Sequence, residues 1–223
     1  MSPEAEARRA KQRERHLAAF RNSLPVVYRD FYIRCAPNPA LCEYLLKFWR
    51  TCAVGPDGND LPEAFGDGNP TGLLLFGPPR SGKTQIACEL TRQRIKDPED
   101  YADARFIAAV QWGCETSRRA KDCELDKWVT DQIGFAWRND LDCAYLVIDD
   151  IDKTKFTPTV ESQLFNLIES ATSNEIVLLV TTNCTAAALV NRFSDRAIAK
   201  AIVGRLQEFC KPVNMGIHME GKA

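Results

Sequence analysis

With 223 residues, 45% of them hydrophobic, and a net charge of −1, the chain suits one α/β domain with a short extension, or at most two small domains. The near-neutral charge argues against a surface that coats nucleic acid, while leaving room for a local basic patch. No run reaches the roughly 18 apolar residues of a membrane span, and the charged N-terminus does not read as a signal peptide.

Residues 2–20 read as a helix, because strong helix formers dominate and charges of both signs are mixed. This is either a solvated helix or a partner-docking arm. Its Arg8, Arg9, Lys11, Arg13 and Arg15 could also touch nucleic acid. Residues 21–53 carry Leu24, Val26, Tyr28, Phe31, Leu45, Phe48 and Trp49, and 41–49 suit an amphipathic helix. Together, 1–53 read as a helical N-terminal extension. Residues 54–70 abound in Gly, Pro, Asp and Asn and read as an exposed loop. The remainder, 71–223, is the core domain.

The core opens on a short buried-strand pattern, Leu73 to Phe76. There follows Gly77-Pro78-Pro79-Arg80-Ser81-Gly82-Lys83-Thr84, which fits G-x-x-x-x-G-K-[ST], the P-loop. The glycines let the backbone wrap an anion with its N–H groups pointing inward. A helix expected over 85–96, led by Gln85, adds its positive N-terminal end. In such a loop Lys83 reaches the β- and γ-phosphates of a nucleotide, and the Thr84 hydroxyl binds Mg²⁺.

Residues 105–110 are a second strand candidate, and 113–138 look mostly helical, with Arg118, Arg119, Lys121 and Lys127 among them. Residues 144–148 form a continuous apolar run, as expected of a strand buried on both faces. Asp149 and Asp150 follow directly, at the carboxyl edge of the sheet, where ligands bind in open α/β folds. Asp149 is placed to hold Mg²⁺ beside Thr84, and Asp150 to orient or deprotonate an attacking water. An acidic helix cap is the plainer reading, and Asp152 is near enough for the register to shift.

Residues 159–172 are helical by periodicity, and 176–180 form another buried strand, ending in Thr181-Thr182-Asn183. Asn183 can hydrogen-bond the attacking water or a γ-phosphate, or simply end a strand before a turn. Residues 186–209 read as one or two helices bearing Arg192, Arg196 and Arg205. Arginine suits phosphate recognition through its planar, permanently charged fork, although solvated helix positions account for at least two of the three. Residues 213–217 are a short final strand. Alternating strands and helices give a parallel sheet with right-handed crossovers. Nine cysteines without a C-x-x-C pair fit reduced thiols in the cytoplasm rather than disulfides or a zinc site. His16 and His218 receive no role.

The order of these segments resembles the AAA+ ATPases of the DnaC/IstB type, the replicative helicase loaders and transposition helper ATPases of bacteria and phages. The resemblance rests on Leu24-Pro25-Val26-Val27-Tyr28-Arg29-Asp30, the P-loop, Leu146 to Ile151, Thr181-Thr182-Asn183 and Gly204-Arg205-Leu206, and covers most of 20–217. It implies an α/β fold: a P-loop AAA+ core with a parallel sheet flanked by helices, a short helical N-terminal extension and a reduced C-terminal lid. Residues 77–84 would be Walker A, with Gln85 beside it, Asp149 and Asp150 Walker B, and Asn183 sensor 1. Arg205 would be an arginine finger given to a neighbouring copy. ATP and Mg²⁺ are the implied cofactors. A replicative helicase, or a transposase, further copies of the chain and single-stranded DNA are the implied partners, the DNA near Arg118, Arg119 and Lys121. A nucleotide-dependent adaptor with little turnover is the reading from another class. The chain departs from the family at Arg80, where many relatives have a small residue. Asp150 stands where many AAA+ proteins have Glu, and no sensor 2 arginine is evident.

Overall fold

The computed structural model describes residues 2–29, 39–43, 45, 72–98, 101–121, 125–137 and 141–216. Its centre is a sheet of β1 (Gly72–Phe76), β2 (Ala102–Ala108), β3 (Cys143–Asp149), β4 (Val177–Thr182) and β5 (Cys210–Asn214). The strand order is β2-β3-β4-β1-β5, and every pairing is parallel. The strands read as apolar runs because helices cover both faces. β4 runs between β1 and β3, so the segments that follow these three strands emerge side by side at one edge.

The helices are α1 (Pro3–Ser23), α2 (Lys83–Lys96), α3 (Ala109–Arg119), α4 (Leu125–Ile133), α5 (Pro158–Ser173), α6 (Ala186–Val190) and α7 (Arg196–Phe209). Ser2 caps α1, Thr157 caps α5 and Asp195 caps α7, each accepting from first-turn N–H groups. Pro3 and Pro158 occupy first helical positions, where no N–H is needed.

Alternate strand residues face opposite layers. Leu73, Leu75, Tyr145, Val147 and Leu179 pack with Phe20 and Leu24 and with Ile86, Leu90 and Ile95 of α2. Leu74, Leu146, Ile148, Leu178 and Val180 pack with Trp112, Leu164, Ile168, Ile202 and Leu206. Burying each such side chain contributes about 1.5–3 kcal/mol.

α1 is not a detached arm. It lies on β2 and α2 and buries His16 and Phe20. The Nδ1 of His16 sits 3.0 Å from the Ala102 carbonyl, so this nitrogen carries the hydrogen. Two of the basic residues read as open to nucleic acid are used within the chain: Arg9 pairs with Asp142, and Arg13 donates to the Pro98 carbonyl.

The larger differences from the sequence reading fall in three places. β2 begins at Ala102 rather than 105, and it passes straight into α3 at Ala109, because Ala108 offers no side-chain cap to mark the change. The helix expected over 113–138 is therefore α3 and α4, followed by a 3-10 turn, Gly134–Trp137. The last strand is Cys210–Asn214, not 213–217; Pro212 is tolerated because β5 is an edge strand that, among the described residues, pairs with β1 alone. Of the helix expected over 41–49, residues 41–43 and 45 are helical. The rest of it, the loop over 54–70, His218 and residue 217 lie outside the described residues. Among the described residues no helix is long and apolar enough to cross a membrane.

Candidate functional site

A cleft of about 500 Å³ opens at the carboxyl edge of the sheet, lined by Tyr28, residues 79–85, Asp150, Lys153 and Asn183. The chain leaves β1 through residues 77–82 and enters α2. Gly77 has φ 149 and Gly82 φ 86, conformations that side-chain-bearing residues rarely adopt. Gly82 stands at the N-cap of α2 and offers no side-chain hydrogen bond to it. The first-turn N–H groups of α2 therefore have no side-chain cap. Arg80 also has positive φ, 64, and its side chain is exposed.

Lys83 is buried, with 5% of its surface exposed. Its ammonium donates to the carbonyls of Gly77 (3.0 Å) and Pro78 (2.7 Å), and to Asn183 Oδ1 (3.1 Å). Burial lowers its pKa, against the pull of Asp150 and Asp152. The Thr84 hydroxyl donates to Asp149 Oδ1 at 2.7 Å, and Thr181 donates to the same oxygen at 2.7 Å. Burial raises the Asp149 carboxyl above the ordinary carboxylate value, and the two hydroxyls pull it back only in part. Tyr28 shares a side-chain hydrogen bond with Thr84, and burial raises its phenol.

Asp150 takes a left-handed conformation, φ 54 and ψ 50. Its N–H donates to Thr181 Oγ1 (2.8 Å), its Oδ2 lies 2.6 Å from Lys153 Nζ, and its Oδ1 lies 3.4 Å from Asn183 Nδ2. Asp152 is 4% exposed and accepts from Thr182 Oγ1 (3.0 Å) and from the backbone N–H of Asn183 (2.8 Å). Burial alone would raise its pKa, but the donations from Asn183 and Thr182 hold it below the usual range. Asp152 thus fixes the end of β4 from below. One connected path runs Lys83–Asn183–Asp150–Lys153, with Thr84–Asp149 beside it.

Sequence reasoning places Lys83, Thr84, Asp149, Asp150 and Asn183 on three separate segments, and the structure brings them to one edge. It misses Tyr28 and Lys153 as cleft-lining residues and gives Asp152 only as a register alternative. Lys153 stands three residues after Asp150, a spacing at which side chains on one turn meet. That signal was present in the sequence.

Arg205 is not in this cleft. It lies on α7, with Nε and Nη2 both 2.8 Å from the Glu169 carboxylate of α5, and Nη1 3.2 Å from Glu208. Arg192 reaches Asp152 at 3.9 Å, and Arg196 is exposed at the start of α7. The basic end of α3 is also internally paired. Arg118 and Arg119 both bond Glu115, and Arg119 lies 4.6 Å over the Trp128 ring. Lys121 is exposed.

The family model of IstB-like ATP binding proteins matches residues 67–219. No curated protein matches the sequence. The fold is similar to that of the DnaC helicase loader, at 15% identity and TM-score 0.54, over 90% of this chain and 98% of that one. It is also similar to domain III of the replication initiation protein DnaA from Thermotoga maritima, at 15% identity and TM-score 0.54, over 80% and 62%. A third likeness is to replication initiator DnaA bound to AMPPCP and single-stranded DNA, at 12% identity and TM-score 0.53, over 86% and 50%. The chain thus spans 62% and 50% of the lengths of these two DnaA structures. At such identities the likeness is one of fold.

Proposed function

The chain belongs to the IstB-like ATP-binding proteins, and from that premise we propose that it is a Mg²⁺-dependent ATPase that helps place a replicative helicase on single-stranded DNA. The observation that carries the ATPase reading is the joining of three strand ends into one polar network, with Lys83, Asn183 and Asp150 on one path and Thr84 and Asp149 on the other.

The residues fit the groups they would hold. Gly77 and Gly82 supply the backbone conformations of a phosphate cradle, and the uncapped start of α2 attracts negative charge. The Thr84 hydroxyl and Asp149 carboxylate, 2.7 Å apart, are the hard oxygen donors that Mg²⁺ takes. When bound, that ion would offset the negative charge of the phosphates. Lys83 contacts the terminal phosphates. Asp150 orients the attacking water, and Asn183 fixes the water or the γ-phosphate oxygen. Arg205, which pairs with Glu169 outside the cleft of its own chain, would supply positive charge to the site of a neighbouring copy. Arg118, Arg119 and Lys121 form the DNA-facing end of α3, where phosphates must compete with Glu115 for the two arginines.

The DnaC helicase loader, whose length the chain covers almost completely, supports the loader reading. The family's IstB description favours a second one, a transposition helper that binds DNA and recruits a transposase. Co-elution with the replicative helicase of the same genome, with Mg²⁺ and a slowly hydrolysed ATP analogue, separates the two. A discrete complex is expected. No complex while the analogue is bound would move the reading to the transposition helper.

A further inference from the structure

Lys153 has no part in the function just described, yet it lines the same cleft as residues 81–85, Asp150 and Asn183. Its ammonium lies 2.6 Å from Asp150 Oδ2. The other carboxylate oxygen of Asp150 faces Asn183, whose Oδ1 accepts from Lys83. Two cations, Lys83 and Lys153, therefore flank one carboxylate–amide pair. Lys83 is buried and tied to backbone carbonyls, whereas the Lys153 side chain is 49% exposed. A half-exposed ion pair is held weakly and parts readily. A terminal phosphate brings more negative charge than a carboxylate and offers several acceptor oxygens.

We infer that Lys153 discriminates nucleoside triphosphate from diphosphate by exchanging its Asp150 partner for the terminal phosphate. The inference rests on the nucleotide reading of this cleft and deepens it. With a diphosphate, no third phosphate reaches the ammonium, and Lys153 keeps Asp150 paired. With a triphosphate, the ammonium turns to the γ-phosphate, and the Asp150 carboxylate is freed to face water. The left-handed backbone at Asp150, whose N–H donates to Thr181 Oγ1, keeps that carboxylate at the cleft when the ammonium leaves it. The exchange makes the base available only when there is a phosphate to transfer. No covalent step is involved, only a change of ion-pair partner.

The test is calorimetric titration of the full chain, with Mg²⁺, against ADP and against a slowly hydrolysed ATP analogue. Lys153→Gln should leave ADP affinity within about twofold and weaken the analogue by about fivefold, the size expected when a phosphate contact is lost less the small worth of an exposed pair. Lys153→Arg should keep most of the preference. Asp150→Asn, which frees the ammonium, should widen the preference for the analogue. Lys155→Gln, an exposed lysine two residues on, should change neither affinity. An unchanged ratio of the two affinities in Lys153→Gln, with both ligands still bound, would overturn this inference while leaving the nucleotide reading intact. Failure of the wild-type chain to bind either ligand would overturn both.

Discussion

Lys83 and Arg205 are both cations tied down within the chain, and they are tied in opposite ways. Lys83 is almost wholly buried, its ammonium aimed along the cleft by two carbonyls and Asn183. Arg205 lies on the surface made by α5 and α7, its side chain 36% exposed and forked onto Glu169. The cleft around Lys83 is thus shaped within one chain, whereas Arg205 lies outside it, in a bidentate geometry on Glu169. For Arg205 to act on a neighbouring copy, as proposed above, it must exchange that carboxylate for a phosphate.

The largest expected effect breaks the contrast from the outside. Arg205→Ala should leave nucleotide affinity within about twofold but lower ATP turnover by about a thousandfold, the scale of losing an arginine finger. Parallel titration and phosphate-release assays check it. Turnover that survives the change would place the transferring charge elsewhere.

From the inside, Lys83→Ala should weaken binding of the ATP analogue by about a hundredfold, through loss of a charged hydrogen-bond donor in a buried setting. The Gly77 and Pro78 carbonyls would also lose their ammonium partner. Equal affinity in the variant would mean that the cleft does not bind phosphate.

Asp149→Asn sharpens the comparison by separating function from stability. The buried carboxylate is unfavourable when charged, as its raised pKa shows, and an amide oxygen can still accept from Thr84 and Thr181. Thermal melts should show the variant stabilised by about 1 kcal/mol, with Mg²⁺-dependent turnover lost. A lower melting point would mean that the carboxylate holds the fold together.

The smallest effect lies at the basic end of α3. Arg118 and Arg119 pull the Glu115 carboxyl down to about 2. Because the folded pKa is depressed, the stabilisation is present above the ordinary glutamate value and is lost as pH falls toward that figure. Glu115→Gln should melt slightly lower than wild type at neutral pH, and the gap should close in acid. Solvent exposure keeps the gap small. A gap that persists in acid would show that packing, not charge, is responsible.

What could be read from the sequence was what lies in short local patterns. The strand over 73–76, the glycine spacing of residues 77–84, and Asp149, Asp150 and Asn183 just after apolar runs all follow from period and punctuation. Their assembly depends on strand order. β4 lies between β1 and β3 through long-range pairing such as Leu73 with Leu179, which no local pattern records. A lysine after an acidic pair reads as solvated, so the three-residue spacing from Asp150 does not by itself mark Lys153 as a cleft residue. In the sequence Tyr28 groups with the apolar residues of the extension, and its place beside Thr84 requires the packing of α1 on α2. The start of α3 was missed because Ala108 and Ala109 serve strand and helix equally well. His16 received no role from the sequence, and its partner, the Ala102 carbonyl, is 86 residues away.

The proposal that Arg205 completes the ATP site of a neighbouring copy is tested by turnover in an equimolar mixture of Lys83→Ala and Arg205→Ala proteins. Each alone should be nearly inactive. In the mixture, the intact cleft of the Arg205→Ala chain would meet the intact arginine of the Lys83→Ala chain, and turnover should recover well above the sum of the two. A mixture no more active than its parts, under conditions where the wild-type chain turns over ATP, would contradict the account.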